Sequence, residues 1–258
     1  MINQLQLAWA RRDIIQYLVM SELRTTYRNK ALGYLWTILD PLIMMGIYIL
    51  LVVGIFGRGG PQYPILLFTS LLAWWWFAQS MSASVDAISS KGKLIQTMYF
   101  ARIVLPISKV TVGFVKYLFG MIVLVPMLLI YDAQWTPNML YLPVIIGVQF
   151  ILTIGVSLVL SVVGVYFKDA QNMVKFAIRT LFFLSPALYS VADRVPERFQ
   201  TLYMLNPFAA LFESYRNVLI RGEGMNGFLL VALAISIVVT VAGLLIFDKY
   251  EPELAKQV

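Results

Sequence analysis

One face of an apolar stretch carries an aromatic ring followed by polar side chains. The residues stand at positions i, i+4, i+7 and i+11, so a helix places them on one side: Trp75, Gln79, Ser82 and Asp86. Aromatic rings pack on the apolar faces of sugars, and amides and hydroxyls supply hydrogen bonds. The stripe therefore predicts a path for a sugar-bearing substrate, with the adjacent Trp74 as a further wall residue. The alternative is helix packing held together by polar groups.

A lysine inside another apolar stretch is a second candidate. Lys116 lies between Gly113 and Gly120 and two turns after Lys109, on the same helix face. A lysine at this depth must be paired, reach an interface or meet a water-filled path. A lipid diphosphate headgroup would be a suitable partner for Lys116. The alternative, which applies more to Lys109, is that the side chain extends to the interface.

The polar loop 86–101 predicts a short helix that docks on another protein. Ser89 and Ser90 are expected to cap its beginning. Its candidate contact residues begin with polar and basic side chains and continue with apolar and aromatic ones, namely Ser90, Lys91, Lys93, Leu94, Ile95, Met98 and Tyr99. A short helix with exposed apolar side chains can dock into a groove on a partner protein. The alternative is a loop helix that rests on lipid headgroups.

Residues 8–29 predict an amphipathic helix at the membrane surface. Ile14, Tyr17 and Leu18 are expected to face lipid, while the basic residues face water or headgroups. Those basic residues are Arg11, Arg12, Arg24 and Arg28. An ordinary polar leader before the first membrane span is the alternative.

The segment 191–225 is too long for a simple turn. A seventh membrane span there would place Glu213 and Arg216 in lipid, which is costly, and would move the C-terminal tail to the other side. The preferred interpretation is two short helices broken at Asn206 and Pro207, which dip into the outer leaflet while packed against protein.

Composition excludes several classes of protein. The 258 residues are 60% apolar and 13% charged, whereas soluble domains average about 45–50% apolar and about 25% charged. The chain contains neither His nor Cys, which removes imidazole bases, thiol nucleophiles and metal sites built on either residue. It also lacks a G-x-x-x-x-G-K-[ST] phosphate loop. We expect an integral membrane protein with no catalytic residue, metal site or bound cofactor of its own.

Six apolar stretches are long enough to cross a bilayer. They lie at 33–56, 65–85, 105–131, 139–166, 171–190 and 226–247. Six spans place both termini on one side, and that side holds 14 of the 20 Lys and Arg residues. Because loops rich in Lys and Arg remain on the cytoplasmic side of the membrane, both termini are predicted to be cytoplasmic. The expected fold is an all-α integral membrane protein with a single domain over 1–258, divided into interfacial helix 1–30, transmembrane helices 31–247 and cytoplasmic tail 248–258.

Several short motifs occur together along the chain. Residues 21–42 contain Tyr-Arg, Leu-Gly, Leu-Trp and then Asp-Pro-Leu, in which Asp40 stands where Asn is commoner. Further motifs are Tyr-Phe-Ala-Arg-Ile-Val-Leu-Pro at 99–106, Tyr-Phe-Lys-Asp at 166–169, Leu-Asn-Pro-Phe at 205–208, and Glu251. In this order they resemble the signature of ABC-2-type polysaccharide export permeases.

The resemblance implies a homodimer bound to two copies of a cytoplasmic ABC ATPase subunit, which would hold ATP and Mg. It identifies the helix near 88–98 as the coupling helix, and the N-terminal helix as a second ATPase contact. The segment near 196–220 would form gate helices between the fifth and sixth spans, on the outer side. The dimer would enclose a channel for a polyprenyl-diphosphate-linked glycan in the plasma membrane of a bacterium, with membrane lipids but no nucleic acid as further partners.

Within the family, the positive net charge of +7 favours an anionic polymer, which indicates a wall teichoic acid exporter. O-antigen and capsular polysaccharide export remain open. Two other classes of function also remain open. One is a stand-alone ion-coupled transporter that uses Asp40 and Lys116. The other is a membrane-embedded enzyme that acts on a glycan-lipid through carboxylates alone.

Overall fold

The computed structural model describes residues 6, 9–28, 32–57, 60–92 and 101–257. These residues form helices joined by loops, and no strand occurs among them, which confirms the all-α prediction. The helices are α1 (Arg12–Tyr27), α2 (Trp36–Ile49), α3 (Tyr63–Val85), α4 (Val104–Ile130), α5 (Leu142–Tyr166), α6 (Ala170–Leu184), α7 (Val191–Arg194), α8 (Glu197–Tyr203), α9 (Pro207–Arg216) and α10 (Leu229–Gln257).

Four helical segments of the described chain are long and apolar enough to cross a membrane by length and composition. They are Trp36–Ile55, Val104–Ile130, Pro137–Tyr166 and Leu229–Leu254. The first is α2 extended by a π-helical turn, and the third is α5 with a preceding 3-10 turn. These segments coincide with the first, third, fourth and sixth predicted stretches.

The second predicted stretch forms α3, which is 23 residues long but less apolar because it contains three Trp and several Ser residues. Most of its side chains are buried between α4 and α5. Gly120 of α4 lies against Leu72, and Ser84 hydrogen-bonds to Ser157 of α5 at 2.6 Å. The low hydropathy of α3 therefore reflects contact with protein along its length.

The fifth predicted stretch, 171–190, is helical only in part. Helix α6 ends at Leu184, and Ser185 is extended because Pro186 disfavours a helical conformation for the residue before it. Fifteen residues give a helix of about 22 Å, which is shorter than the bilayer core of about 30 Å. The prediction of a helix through residue 190 is therefore wrong.

Small residues on α5 permit close contact with its neighbours, as their spacing predicts. Ser157 and Ser161 are fully buried. A Cβ at Gly164 would overlap the backbone carbonyl of Val85, at the end of α3. On another face of α5, Thr240 of α10 donates a hydrogen bond to the carbonyl of Ile151 at 2.8 Å. These small residues therefore permit close packing of α5 against its neighbours.

The last helix continues well beyond the predicted end of the sixth stretch. Instead of a separate tail from residue 248, α10 extends to its end at Gln257. Leu254 is fully buried in a cluster with Ile88 and Ile103. Arg102 adds a hydrogen bond to the carbonyl of Glu251. The end of α10 therefore contacts residues on both sides of the predicted coupling segment.

Candidate functional site

The predicted stripe of α3 lines a cavity of about 810 Å³ between α2, α3 and α4. We call it the Trp75 cavity. Its lining includes Trp75, Gln79, Ser82, Asp86, Lys116 and Asp40. Whereas the neighbouring faces of α3 are buried against other helices, this face is partly or fully exposed within the described chain. The stripe thus borders open space and not a helix contact within one protomer.

Two helices bring their predicted path residues together in this cavity. Lys116 Nζ of α4 donates a hydrogen bond to Gln79 Oε1 of α3, at 3.4 Å. Lys109 also borders the cavity but forms an ion pair with Glu22 at 2.7 Å. The cavity therefore combines an aromatic ring, an amide, a hydroxyl and an ammonium group, which together suit a sugar and an anionic group.

Trp74 does not belong to this lining, so its assignment to the path is corrected. The ring is 4% exposed and packs against Phe182 and Phe208, with centroid distances of 5.5 and 5.2 Å. Trp76 is also buried, and its Nε1 donates to the carbonyl of Val110 at 3.3 Å. Successive helical residues point about 100° apart. Of the three tryptophans, Trp75 and Trp76 border the cavity, but Trp76 is only 1% exposed, so Trp75 offers the accessible ring.

The predicted coupling segment is described at its ends only. Ser90 and Lys91 are exposed on a 3-10 turn, Ser89–Lys91. The N-cap of this turn is Ile88, and no side chain caps the turn. The remaining predicted contact residues lie outside the described residues, namely Lys93, Leu94, Ile95, Met98 and Tyr99.

The N-terminal helix packs on α4, a contact that the sequence pattern does not predict. Val19 and Leu23 are buried against Val112 of α4, while Tyr17 is 72% exposed. The four basic residues are all exposed, namely Arg11, Arg12, Arg24 and Arg28. Glu22 lies on the buried side, where it meets Lys109. Sequence reasoning missed this ion pair because its partners are 87 positions apart.

The segment predicted to form gate helices is broken at the expected place. Helix α9 begins at Pro207, and the side chain of Asn206 caps it by accepting a hydrogen bond from the backbone N–H of Phe208 at 3.0 Å. Helix α8 ends four residues earlier, at Tyr203. Asn and Pro favour this arrangement because one caps a helix and the other fits its first turn.

Glu213 and Arg216 are buried on α9 and form an ion pair at 3.1 Å. Arg216 also donates hydrogen bonds to the carbonyls of Tyr189, Pro186 and Ala187. Arg221 reaches the second carboxylate oxygen of Glu213 at 3.0 Å. Burial alone would raise the pKa of Glu213, but the two guanidinium groups outweigh it and lower the pKa below its usual 4.5. Through these hydrogen bonds, Glu213 and Arg216 hold residues 186–191 against α9.

Apolar helices of spanning length around a polar cavity define a helical membrane protein of the transporter type. The chain belongs to the ABC-2 type transporter family, whose model matches residues 14–220. Members are the membrane permeases of ABC transporters and pair with a cytoplasmic ATPase, so the family predicted from the sequence is confirmed.

The relatives are similar over nearly their whole lengths. The chain is 30% identical over 247 residues to the O-antigen export system permease protein RfbA of Klebsiella pneumoniae, covering 95% of this chain and 94% of the relative. It is 30% identical over 260 residues to RfbA of Myxococcus xanthus, covering 100% of both. It is 26% identical over 237 residues to the polysialic acid transport protein KpsM of Escherichia coli, covering 88% of each.

Proposed function

We propose that this chain is the membrane subunit of an ATP-driven exporter of an O-antigen-type, lipid-linked polysaccharide. The observation that carries the proposal is the end-to-end similarity to permeases named for O-antigen export. The similarity to a polysialic acid transport protein adds support for a polysaccharide substrate. These relatives favour O-antigen export over the wall teichoic acid export predicted from charge. Membership in an ABC family likewise favours an ATP-driven exporter over an ion-coupled transporter or a glycan-lipid enzyme.

The proposed assembly contains two copies of this chain and two ATPase subunits, which bind ATP and Mg. The ATPase would contact the coupling segment near 88–98 and the basic face of α1. Because the coupling segment joins α3 to α4, its movement would change the relative position of these two helices, which both line the Trp75 cavity. ATP would then favour one arrangement by binding more tightly to the ATPase in that state.

The Trp75 cavity is the proposed entry of the substrate path. The Trp75 ring offers a surface for a sugar, and Gln79 and Ser82 offer hydrogen bonds. Lys116 lies at the cavity lining and would attract the diphosphate of the lipid carrier, because the two groups carry opposite charges. Asp40 and Asp86 border the same cavity and would limit how tightly the anion is held, which favours release.

The proposed topology has six crossings and cytoplasmic termini. Helix α3 supports a crossing because it lies lengthwise beside α4 and α5, both of spanning length. Helix α6 is too short to cross alone, so the 185–190 loop would complete the fifth crossing. Helices α8 and α9 would then form the gate on the outer side.

The test is purification of the permease with its ATPase from cells that express both. We expect replacement of residues 91–99 by a Gly-Ser linker to abolish ATPase copurification and polysaccharide export while membrane insertion persists. The matched control replaces the exposed loop residues 223–225, and both readouts should survive. Copurification and export that survive the 91–99 replacement would contradict the proposal. Export by the permease in the absence of ATPase would favour the ion-coupled alternative.

A further inference from the structure

A second cavity lies at the opposite end of α3. Its volume is about 820 Å³, and none of its lining residues is shared with the Trp75 cavity. It is enclosed by the end of α2, the beginning of α3 and the loop that follows α6. We call it the Arg194 cavity. In the proposed topology it faces the outer side, where substrate leaves.

The lining of the Arg194 cavity combines an apolar wall with polar groups at defined positions. Phe56 and Leu66 contribute to the wall, while Gln62, Tyr189 and Ser190 supply an amide and two hydroxyls. A cavity that is mostly apolar with a few polar groups is typical of a small-ligand site. A sugar ring fits this combination because it has apolar faces and hydroxyl edges.

The charges at this cavity are unbalanced among the described residues. Arg194 is exposed at the lining and makes no ion pair with any described side chain. The carboxylate of Glu213 is already shared between Arg216 and Arg221. Arg216 also lines the cavity, is 1% exposed, and its Nε has no hydrogen-bond partner in the described part of the chain. Two arginines therefore line this cavity, and no Asp or Glu among the described residues lines it.

Arg194 presents the guanidinium group that a ligand in this cavity can reach, because Arg216 is buried. A guanidinium group binds carboxylates and phosphates strongly, often through two hydrogen bonds. The positive charge of the lining arginines therefore favours a ligand with an anionic group. The apolar wall and the amide favour a sugar ring as the part of the ligand that carries this group.

We propose that the Arg194 cavity binds an acidic sugar unit, a pyranose bearing a carboxylate or a phosphate, with Arg194 contacting the anionic group. The proposal rests on the proposed function, which supplies the glycan, and extends it by naming the class of sugar unit. The site would hold one unit of the polymer as it emerges.

The experiment uses the absence of native cysteine. Gly60→Cys places a single thiol at the lining, where open space surrounds the added Cβ, and leaves the Gln62 amide in place. Its maleimide labelling rate is measured in phosphatidylcholine nanodiscs that contain the complex with its ATPase. The probes are hyaluronan tetrasaccharide, which carries uronates, mannose 6-phosphate and the neutral cellotetraose. We expect the acidic probes to slow labelling and cellotetraose to leave it unchanged.

Arg194→Gln is the decisive second substitution. It should weaken protection by the acidic probes about tenfold, as expected for loss of a charge-assisted hydrogen bond. Arg198→Gln is the matched control, since Arg198 stacks on Phe199 at 4.7 Å and does not line the cavity. It should leave protection unchanged.

Equal protection by cellotetraose would overturn the preference for an anionic sugar. Protection by phosphatidylglycerol in the nanodisc, without any saccharide, would assign the cavity to a lipid headgroup and overturn the proposal. Absence of protection by both acidic probes, in a complex that copurifies and exports normally, would also overturn it while leaving the proposed function intact. Loss of both copurification and export in the unmodified chain would count against the proposed function itself.

Discussion

At the scale of single residues, three consecutive tryptophans occupy two different environments. Helical geometry predicts that they cannot share one surface, and the stripe through Trp75 and Gln79 was identifiable from spacing alone. The burial of Trp74 could not be predicted from spacing, because its partners Phe182 and Phe208 lie more than a hundred positions away in sequence. Periodicity indicates which residues share a face but not which face meets another helix.

A double substitution, Trp75→Leu with Gln79→Leu, tests the cavity as a substrate path. We expect export and substrate-stimulated ATP hydrolysis to fall at least about tenfold, because a ring contact and a hydrogen bond are both removed. Surface polysaccharide and ATPase rates are measured at equal protein levels. Trp135→Leu is the control, since that ring is 56% exposed and lies outside the cavity. Unchanged activity in the double variant would mean that the stripe serves packing only.

Glu213→Gln tests the network on α9. The substitution leaves Arg216 buried without its counter-charge, so we expect a loss of about 3–5 kcal/mol in the free energy of unfolding. Thermal unfolding of the detergent-solubilised protein measures this loss, with the exposed Glu223→Gln as control.

The contribution of Glu213 to stability also depends on pH. Because the folded-state pKa of Glu213 is lowered from 4.5, the stabilisation by its carboxylate is full above that pH and is lost as pH falls through the lowered pKa. The difference between wild type and variant should therefore narrow below pH 4.5, and a constant difference down to pH 3 would contradict this account.

At the scale of elements, apolar runs predicted most helix positions to within a few residues. They failed where tertiary contacts or a proline set the boundary. Helix α6 ends early because of Pro186, and α10 continues because Leu254 is buried beside Ile88. The ion pair between Glu22 and Lys109 escaped prediction because a surface helix gives no indication of the helix on which it packs.

Gly164→Ala tests the close contact between α3 and α5. The added Cβ would overlap the backbone carbonyl of Val85, which cannot move unless α3 moves. We expect destabilisation of about 1–3 kcal/mol from overpacking, despite the higher helix propensity of Ala. Gly147→Ala on the same helix is the matched control, since open space surrounds that position, and its melting temperature should be unchanged or higher. Equal melting temperatures for the two variants would contradict the packing account.

At the scale of the whole molecule, charge distribution and hydropathy disagree over the number of crossings. Hydropathy with helix length identifies four spanning helices in the described chain, whereas the distribution of Lys and Arg fits six crossings. The disagreement arises from α3, whose polar residues face neighbouring helices and a cavity, and from α6, which is short. A helix surrounded by protein does not need the composition of one surrounded by lipid.

Single-cysteine labelling of spheroplasts distinguishes the two topologies. With six crossings and cytoplasmic termini, Trp135→Cys reacts with a membrane-impermeant maleimide in intact spheroplasts, and Ser90→Cys reacts only after permeabilisation. Four crossings with the same N-terminal orientation predict the reverse at both positions. Because the chain has no native cysteine, the unmodified protein serves as the blank. Reversed labelling would rule out the proposed topology.

The contact between α1 and α4 has a consequence for synthesis at the ribosome. Glu22 finds its partner Lys109 only after 87 further residues have been translated, which takes on the order of ten seconds at about 5–20 residues per second. Throughout that interval the first helix has no α4 on which to dock, and its basic side chains can hold it at the anionic surface of the membrane. We therefore expect α1 to bind the membrane surface before it packs against α4.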